Sequence, residues 1–498
     1  MPLQPTFYWY DYETWGRDPR RDRPCQFAGL RTDAELNELG PAEPPLVRFC
    51  QPADDFLPSP EACLVTGLTP QQAEREGVIE AQFAADIQQQ LARPGTCSVG
   101  YNSIRFDEEV SRFLFYRNFR DPYAHAWRNG NSRWDLIDVV RLAHALRPQG
   151  INWPRHPGGE PSFKLEHLTA ANDIAHQGAH DALVDVRATL ALARLLRAAQ
   201  PRLFGYALQL RDKERVRELL SGGKPLLHVS SKYPAERGCI APVMVVAPSS
   251  ADDRNALIVW DLREDPAELI GLVPEAIRER VFTRSEDLAA GVGRLPLKKL
   301  RVNASPMVAP MATLSGDAAE RWEIDPAQVE RHYRRFQDHA EASRQVAVAV
   351  RDAFARPGDA KGEQDPDEAL YGGFLSDADQ RLLEQVRRLP PQELTTTHFA
   401  FQDQRLPVLL FRYRARNWPE SLTLQEREQW DAWRLARIHQ ETAADRLSLR
   451  QYWQRIAELR QEHAADPRRQ QILAELEHWP QRINVTRDAD RPPATVPG

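Results

Sequence analysis

The run Thr6-Phe7-Tyr8-Trp9-Tyr10-Asp11-Tyr12-Glu13-Thr14 restricts the fold more than any other stretch of this chain. Its aromatic and β-branched content predicts a buried strand. Side chains alternate faces along a strand, so Asp11 and Glu13 emerge on the same face at its C-terminal end. Two neighbouring carboxylates repel each other unless a cation lies between them. The end of this strand is therefore either half of a site for a hard divalent ion or a point where the strand stops and solvated acids follow. These residues alone leave both readings open, and the missing ligands have to come from later segments.

Size and composition narrow the setting. At 498 residues the chain is too long for one core, and about three domains is the natural expectation. Its content of 42% hydrophobic and 27% charged residues is that of an ordinary soluble globular protein. No apolar run approaches the roughly 20 residues needed to cross a bilayer, and the opening Met1-Pro2-Leu3-Gln4-Pro5 lacks the basic and apolar regions of a secretory signal. Cys25, Cys50, Cys63, Cys97 and Cys239 are scattered and never spaced C-x-x-C, which fits a reducing cytoplasm and argues against a zinc site. A net charge of −6 means that any nucleic-acid binding must be confined to a positive groove, so the overall charge neither supports nor excludes it.

Along the chain, 26–32, 46–50 and 96–102 read as further strands bounded by Pro, Gly or Asp. Phe83, Ile87 and Leu91 give 80–91 a helical spacing. Asp107 stands at the junction between the 96–102 strand and a helix over 108–119. It can cap that helix, or serve as a third metal carboxylate at the end of a central strand, where open α/β sheets place their sites. A helix is predicted over 135–146, a short one over 163–172, and a long one to about Ala199 opened by His180-Asp181-Ala182-Leu183-Val184-Asp185. An offset of five is not a same-face helical spacing. It suits His180 on the loop before the helix with Asp185 facing the sheet, although an exposed loop histidine and an acid at a helix N-terminus would look the same.

Taken together, Asp11 with Glu13, then Asn102-Ser103-Ile104-Arg105-Phe106-Asp107, then His180 and Asp185 resemble, in order and spacing, the motifs of the DEDDh 3′→5′ exonucleases. Tyr10-Asp11-Tyr12-Glu13-Thr14-Trp15-Gly16, Asn131-Ser132-Arg133-Trp134-Asp135, the loop 147–154, Ser162-Phe163-Lys164-Leu165-Glu166-His167-Leu168, Gly373-Phe374-Leu375-Ser376-Asp377-Ala378-Asp379 and Phe411-Arg412-Tyr413-Arg414-Ala415-Arg416-Asn417 narrow the resemblance to the bacterial exonuclease I family. It covers nearly the whole chain.

The resemblance implies an RNase H-like α/β exonuclease domain with a mixed sheet over 1–202, an SH3-like β-barrel with helical additions over 203–355, a linker over 356–368, an all-α domain over 369–485 and a disordered tail over 486–498. It implies processive 3′→5′ hydrolysis of single-stranded DNA to 5′-mononucleotides in DNA repair and recombination. Phosphodiester hydrolysis needs charge neutralisation, an activated water and a stabilised leaving oxygen, which two divalent ions about 4 Å apart can supply. Asp11, Glu13, Asp107 and Asp185 would hold two Mg2+ ions, with Asp11 bridging and Mn2+ able to substitute. His180 would be the general base.

Glu13, Thr14, Trp15 and Phe106 are candidates to read the terminal nucleotide, with tolerance of sequence coming from stacking. Arg105 and Arg117 are candidate phosphate contacts. The implied partners are single-stranded DNA and the acidic, hydrophobic tail of single-stranded-DNA-binding protein, with Arg147 and Tyr206 as cation and apolar wall. A cytoplasmic monomer with no membrane contact is expected.

Overall fold

The structure is a computed structural model that describes residues 5–176, 178, 181–250, 253–355, 364–440 and 446–486. Its N-terminal part is built on a five-stranded mixed sheet in the order β3-β2-β1-β4-β5. The strands are β1 (Thr6–Thr14), β2 (Pro24–Thr32), β3 (Leu46–Phe49), β4 (Thr96–Gly100) and β5 (Ser132–Asp135). β1 and β2 pair antiparallel, as do β2 and β3, while β4 and β5 run parallel to β1. The opening stretch of the sequence is thus the central strand.

The alternation along β1 sorts the two layers that cover it. Phe7 and Trp9 pack with the helices Leu136–Leu146 and Ala182–Ala199 through Ile137, Val140, Val186 and Leu190. Tyr8, Tyr10 and Tyr12 face Phe83, Ile87, Val110 and Leu114 of the helices Glu80–Leu91 and Asp107–Arg117. Asp11 and Glu13 continue the Phe7–Trp9 face, so period two alone turns them toward the long helix that carries Asp185. Gly100 ends β4 in tight quarters: a Cβ there would lie 2.6 Å from Ser103 Cβ and 3.0 Å from the carbonyl oxygen of Tyr10.

Five more strands form a second, antiparallel sheet in the order β10-β6-β7-β8-β9: β6 (Leu226–Val229), β7 (Ile240–Pro248), β8 (Ala256–Asp261), β9 (Leu297–Arg301) and β10 (Met307–Pro310). The helices Pro274–Phe282, Pro326–Asp338 and Ala340–Phe354 surround it. The two sheets share one continuous apolar core. Across their joint, Arg133 Nη2 donates to Asn303 O (2.9 Å), Ser305 Oγ to Arg133 O (2.9 Å) and Trp322 Nε1 to Ala145 O (2.8 Å).

The remainder is helical, from Asp377–Arg388 to Pro467–Arg482. Ser376 caps the first of these helices, accepting from Asp379 N (3.2 Å). This part is fastened to the first sheet by apolar clusters around Trp15 and Trp453 and around Phe119 and Tyr413, and by a buried set of arginines and aspartates. The expected linker residues 356–363 and tail residues 487–498 lie outside the described residues. The linker's end, Pro366–Glu368, is a 3-10 turn with Asp367 buried. Two short strands, β5 and β10, were not expected.

Candidate active site

Asp11, Glu13 and Asp185 each offer a carboxylate oxygen within 4.8 Å of the other two. Asp11 and Asp185 remain partly exposed and Glu13 is buried, so the cluster opens to solvent on one side. Asp185 sits in the first turn of the helix Ala182–Ala199, whose start is fixed by Asp181: its side chain accepts from Leu183 N (3.0 Å) and Val184 N (3.3 Å).

Asp107 joins from the other layer of the domain. It does not cap its helix, because Phe106 takes that position. Its Oδ1 instead accepts a hydrogen bond from Tyr12 N (3.1 Å), on the backbone between Asp11 and Glu13. It is thus no helix cap, and it lies outside the group of carboxylates that converge within 4.8 Å, Asp11, Glu13 and Asp185.

The preceding loop is held by Asp135, which accepts from Asn102 N (2.8 Å) and Ile104 N (3.1 Å) as well as capping its own helix at Ile137 N (3.3 Å). The sequence reading used Asp135 only as part of a motif.

The electrostatics are those of a cluster lacking its counter-charge. Burial, then the neighbouring Asp107, Glu13 and Asp185, raises Asp11 well above the ordinary carboxylate range. Glu13 is pushed up to about 9 by burial, Asp185 and Asp107. Asp107 is pushed up to about 8, chiefly by burial, against the opposing hydrogen bond from Tyr12. Among the described residues, no positive side chain figures in the charges acting on Asp11 or Glu13. An all-oxygen donor set whose acids resist ionisation is what a hard divalent cation would relieve.

The other candidates divide. His180 lies outside the described residues. Arg105 is half-exposed and bonds Ser231 of the second domain, 3.9 Å from Asp138. Phe106 packs against the core beside Val110. Thr14 is buried, its hydroxyl donated to Gly16 O (2.6 Å).

Two expectations are corrected. The Trp15 indole is buried among Cys25, Cys63 and Trp453, where it cannot stack on a nucleotide. The pairing of β1 with β2 shifts register between Glu13 and Thr14, which breaks the alternation that would have carried Trp15 to the acid face. Arg117 is buried and paired to Glu80 (3.0 Å), so it is no phosphate contact. Arg147 and Tyr206 converge on one segment of the second domain: Arg147 donates to Thr313 O (3.1 Å) and Tyr206 to Val308 O (2.8 Å).

The sequence matches three families in the same order as these structural units: exonuclease over 8–193, exonuclease I SH3-like domain over 211–355 and exonuclease I C-terminal domain over 364–483. Exodeoxyribonuclease I of Escherichia coli strain K12 is 44% identical over 86% of this chain and 88% of its own length. The chain belongs to the exonuclease I family. The crystal structure of E. coli exonuclease I in complex with a dA16 oligonucleotide superposes with a TM-score of 0.90 at 41% identity, over 96% of this chain and all of that one. The structure of SSB/exonuclease I in complex with the inhibitor CFAM gives 0.86 at 40% identity, over 97% of this chain and all of that one. The fold class is thus that of the family: RNase H-like exonuclease domain, SH3-like domain and C-terminal domain. Among the described residues, no helix is long and apolar enough to cross a membrane.

Proposed function

We propose that this chain is a metal-dependent exodeoxyribonuclease that degrades single-stranded DNA processively from its 3′ end to 5′-mononucleotides, in DNA repair and recombination. The observation that carries this reading is the convergence of Asp11, Glu13 and Asp185 within 4.8 Å, with the Asp107 carboxylate bonded to the backbone between the first two. These four acids would hold two Mg2+ ions, for which Mn2+ should substitute. Bound there, the pair would neutralise phosphate charge, lower the pKa of an attacking water and stabilise the leaving oxygen.

The chain's own groups do the rest. Asp107 and Asp185 reach β1 from opposite layers, so substrate is confined to the open end of the strand. Glu13 and the backbone of Thr14 are assigned to the terminal nucleotide, with Phe106 and Arg105 of the loop before Asp107 beside them. His180, five residues before Asp185, is assigned the general base that takes the proton from water.

The domain division follows the sequence reading: catalysis in 1–202, DNA guidance in 203–355, and enclosure of the strand by 369–485. Arg147 and Tyr206, set on one edge of the joint, are proposed to receive the acidic tail of single-stranded-DNA-binding protein, the solved SSB/exonuclease I complex being the support. The protein is read as a cytoplasmic monomer.

A single-stranded DNA labelled at its 5′ end tests the reading. A ladder shortening from the 3′ end with Mg2+ and absent with EDTA is expected, with an all-RNA strand left largely intact. Tight binding without cleavage in Mg2+ would overturn it.

A further inference from the structure

Asp185 is held by a histidine that nothing above has used. His176 Nε2 lies 2.5 Å from Asp185 Oδ1, and its side chain is only 6% exposed. The other ring nitrogen, Nδ1, is 3.0 Å from the hydroxyl of Thr169, a residue with no exposed surface. That hydroxyl also lies 3.0 Å from Leu165 O and 3.1 Å from Glu166 O, inside the helix Leu165–Ala171. The ring is therefore fixed at both edges, and it is anchored to a helix and not to a loop side chain.

The chain between the two anchors is itself tied down. Asp173 turns it with φ 55°, and Ile174 N donates to Thr169 O (2.9 Å). Asn172 is paired with the backbone of Asn152 in both directions at 2.8 Å. An ionised carboxylate only accepts hydrogen bonds, so the contact with Asp185 places an N–H on Nε2. A carboxylate has about four lone-pair sites, and one such bond leaves it able to ligate an ion.

We propose that His176 is a positioning residue: through the Thr169–His176–Asp185 relay it sets the rotamer of Asp185, so that this helix-borne carboxylate meets Asp11 and Glu13 at the metal site. The proposal rests on the reading of that cluster as a metal site. Holding a ligand in place removes the entropy of ordering it from the cost of binding an ion. The effect falls on metal affinity first and on the chemical step at saturating metal much less.

The test is Mn2+ binding to the full-length protein, read by calorimetry and by electron paramagnetic resonance, in the wild type and in His176→Ala, His176→Gln, Thr169→Val and Asp185→Ala. Loss of an outer partner of a metal ligand typically costs 10–100-fold in affinity. His176→Ala is expected to weaken Mn2+ binding by about that factor and to shift the metal midpoint of DNA hydrolysis in parallel, while kcat at saturating metal recovers most of its value. His176→Gln, whose amide can still donate to Asp185, should restore most of the affinity. Thr169→Val should weaken binding in the same direction, and it carries the test if His176→Ala does not fold.

Wild-type Mn2+ affinity in His176→Ala, or in Thr169→Val should the alanine variant not fold, alongside a clear loss in Asp185→Ala, would overturn the positioning role and leave His176 a packed core residue. Failure of His176→Gln to rescue would do the same. Unchanged affinity in Asp185→Ala as well would instead bring down the metal reading of the cluster, and the proposal with it.

Discussion

Two groups of acids, one wholly buried and one opening to solvent on one side, have neighbours opposite in kind. Asp55 is wholly buried and receives Arg23 Nη2 at 2.7 Å and Arg416 Nη2 at 2.9 Å. Asp367 takes Arg416 and Arg412 at 2.5 and 2.9 Å. Despite burial, the guanidinium groups hold Asp55 and Asp367 far below the ordinary carboxylate range. At the end of β1 the same chemistry is left uncompensated, and Asp11, Glu13 and Asp107 are driven upward. The first group was matched by the fold with cations of its own and serves as a joint between domains. In the proposed reading the second takes its cation from solution, and that would separate a catalytic from a structural acid here.

The comparison can be broken most severely at the site. Asp11→Ala or Asp185→Ala should abolish metal-dependent cleavage while metal-independent DNA binding and cooperative unfolding persist; an unfolded variant would place these acids with the structural group. The next effect is on stability and differs in sign. Asp55→Asn removes the carboxylate charge from Arg23, leaves Arg416 with Asp367 alone, and should cost about 3–5 kcal/mol. Asp11→Asn removes a repulsion and should raise the unfolding temperature in EDTA. Denaturation of both variants side by side checks this, and equal losses would erase the distinction.

Metal itself should act on one group only. Mn2+ at 100 times its dissociation constant stabilises a native state by about 2.7 kcal/mol, and the gain should vanish in Asp185→Ala but survive in Asp55→Asn. The two groups also differ in the sign of their pH dependence. With Glu13 near 9, the metal-free native state keeps a proton that the unfolded chain has released, so stability in EDTA should fall as pH rises from the ordinary glutamate range toward 9. Asp55 and Asp367 act in reverse. Their stabilisation is complete above the ordinary aspartate range and is lost as the pH falls below it. Urea titrations at pH 3, 5, 7 and 9 should show the alkaline loss removed by metal and the acid loss unaffected.

How far the sequence reveals this follows from what each residue depends on. β1, the helix Glu80–Leu91 and the pairing of Asp11 with Glu13 are local in origin, since a period of two or of 3.6 is written in neighbouring residues. β5 runs straight into the helix Leu136–Leu146, whose stronger pattern masks it, and β10 exists through its pairing with β6. Asp107 could be named but not aimed, because its partner Tyr12 is 95 residues away. Trp15 and Arg117 were misplaced for related reasons: a register shift after Glu13 turned one inward, and a buried Glu80 claimed the other. His176 follows a left-handed turn at Asp173 that no periodicity announces. A second histidine four positions before His180 was the sole hint.

The arginine joint has a further consequence. Asp365 and Asp367, at the point where the chain enters its helical domain, are gripped by Arg412, Arg416 and Arg437, and Arg416 simultaneously grips Asp55 of the first domain. The helical domain is thus fastened to the catalytic one by side chains and apolar packing. The polypeptide should tolerate being made as two fragments, 1–355 and 364–498, that assemble when mixed. All the proposed catalytic acids lie in the first fragment, so the second should change how long a strand is held and not whether it can be cut.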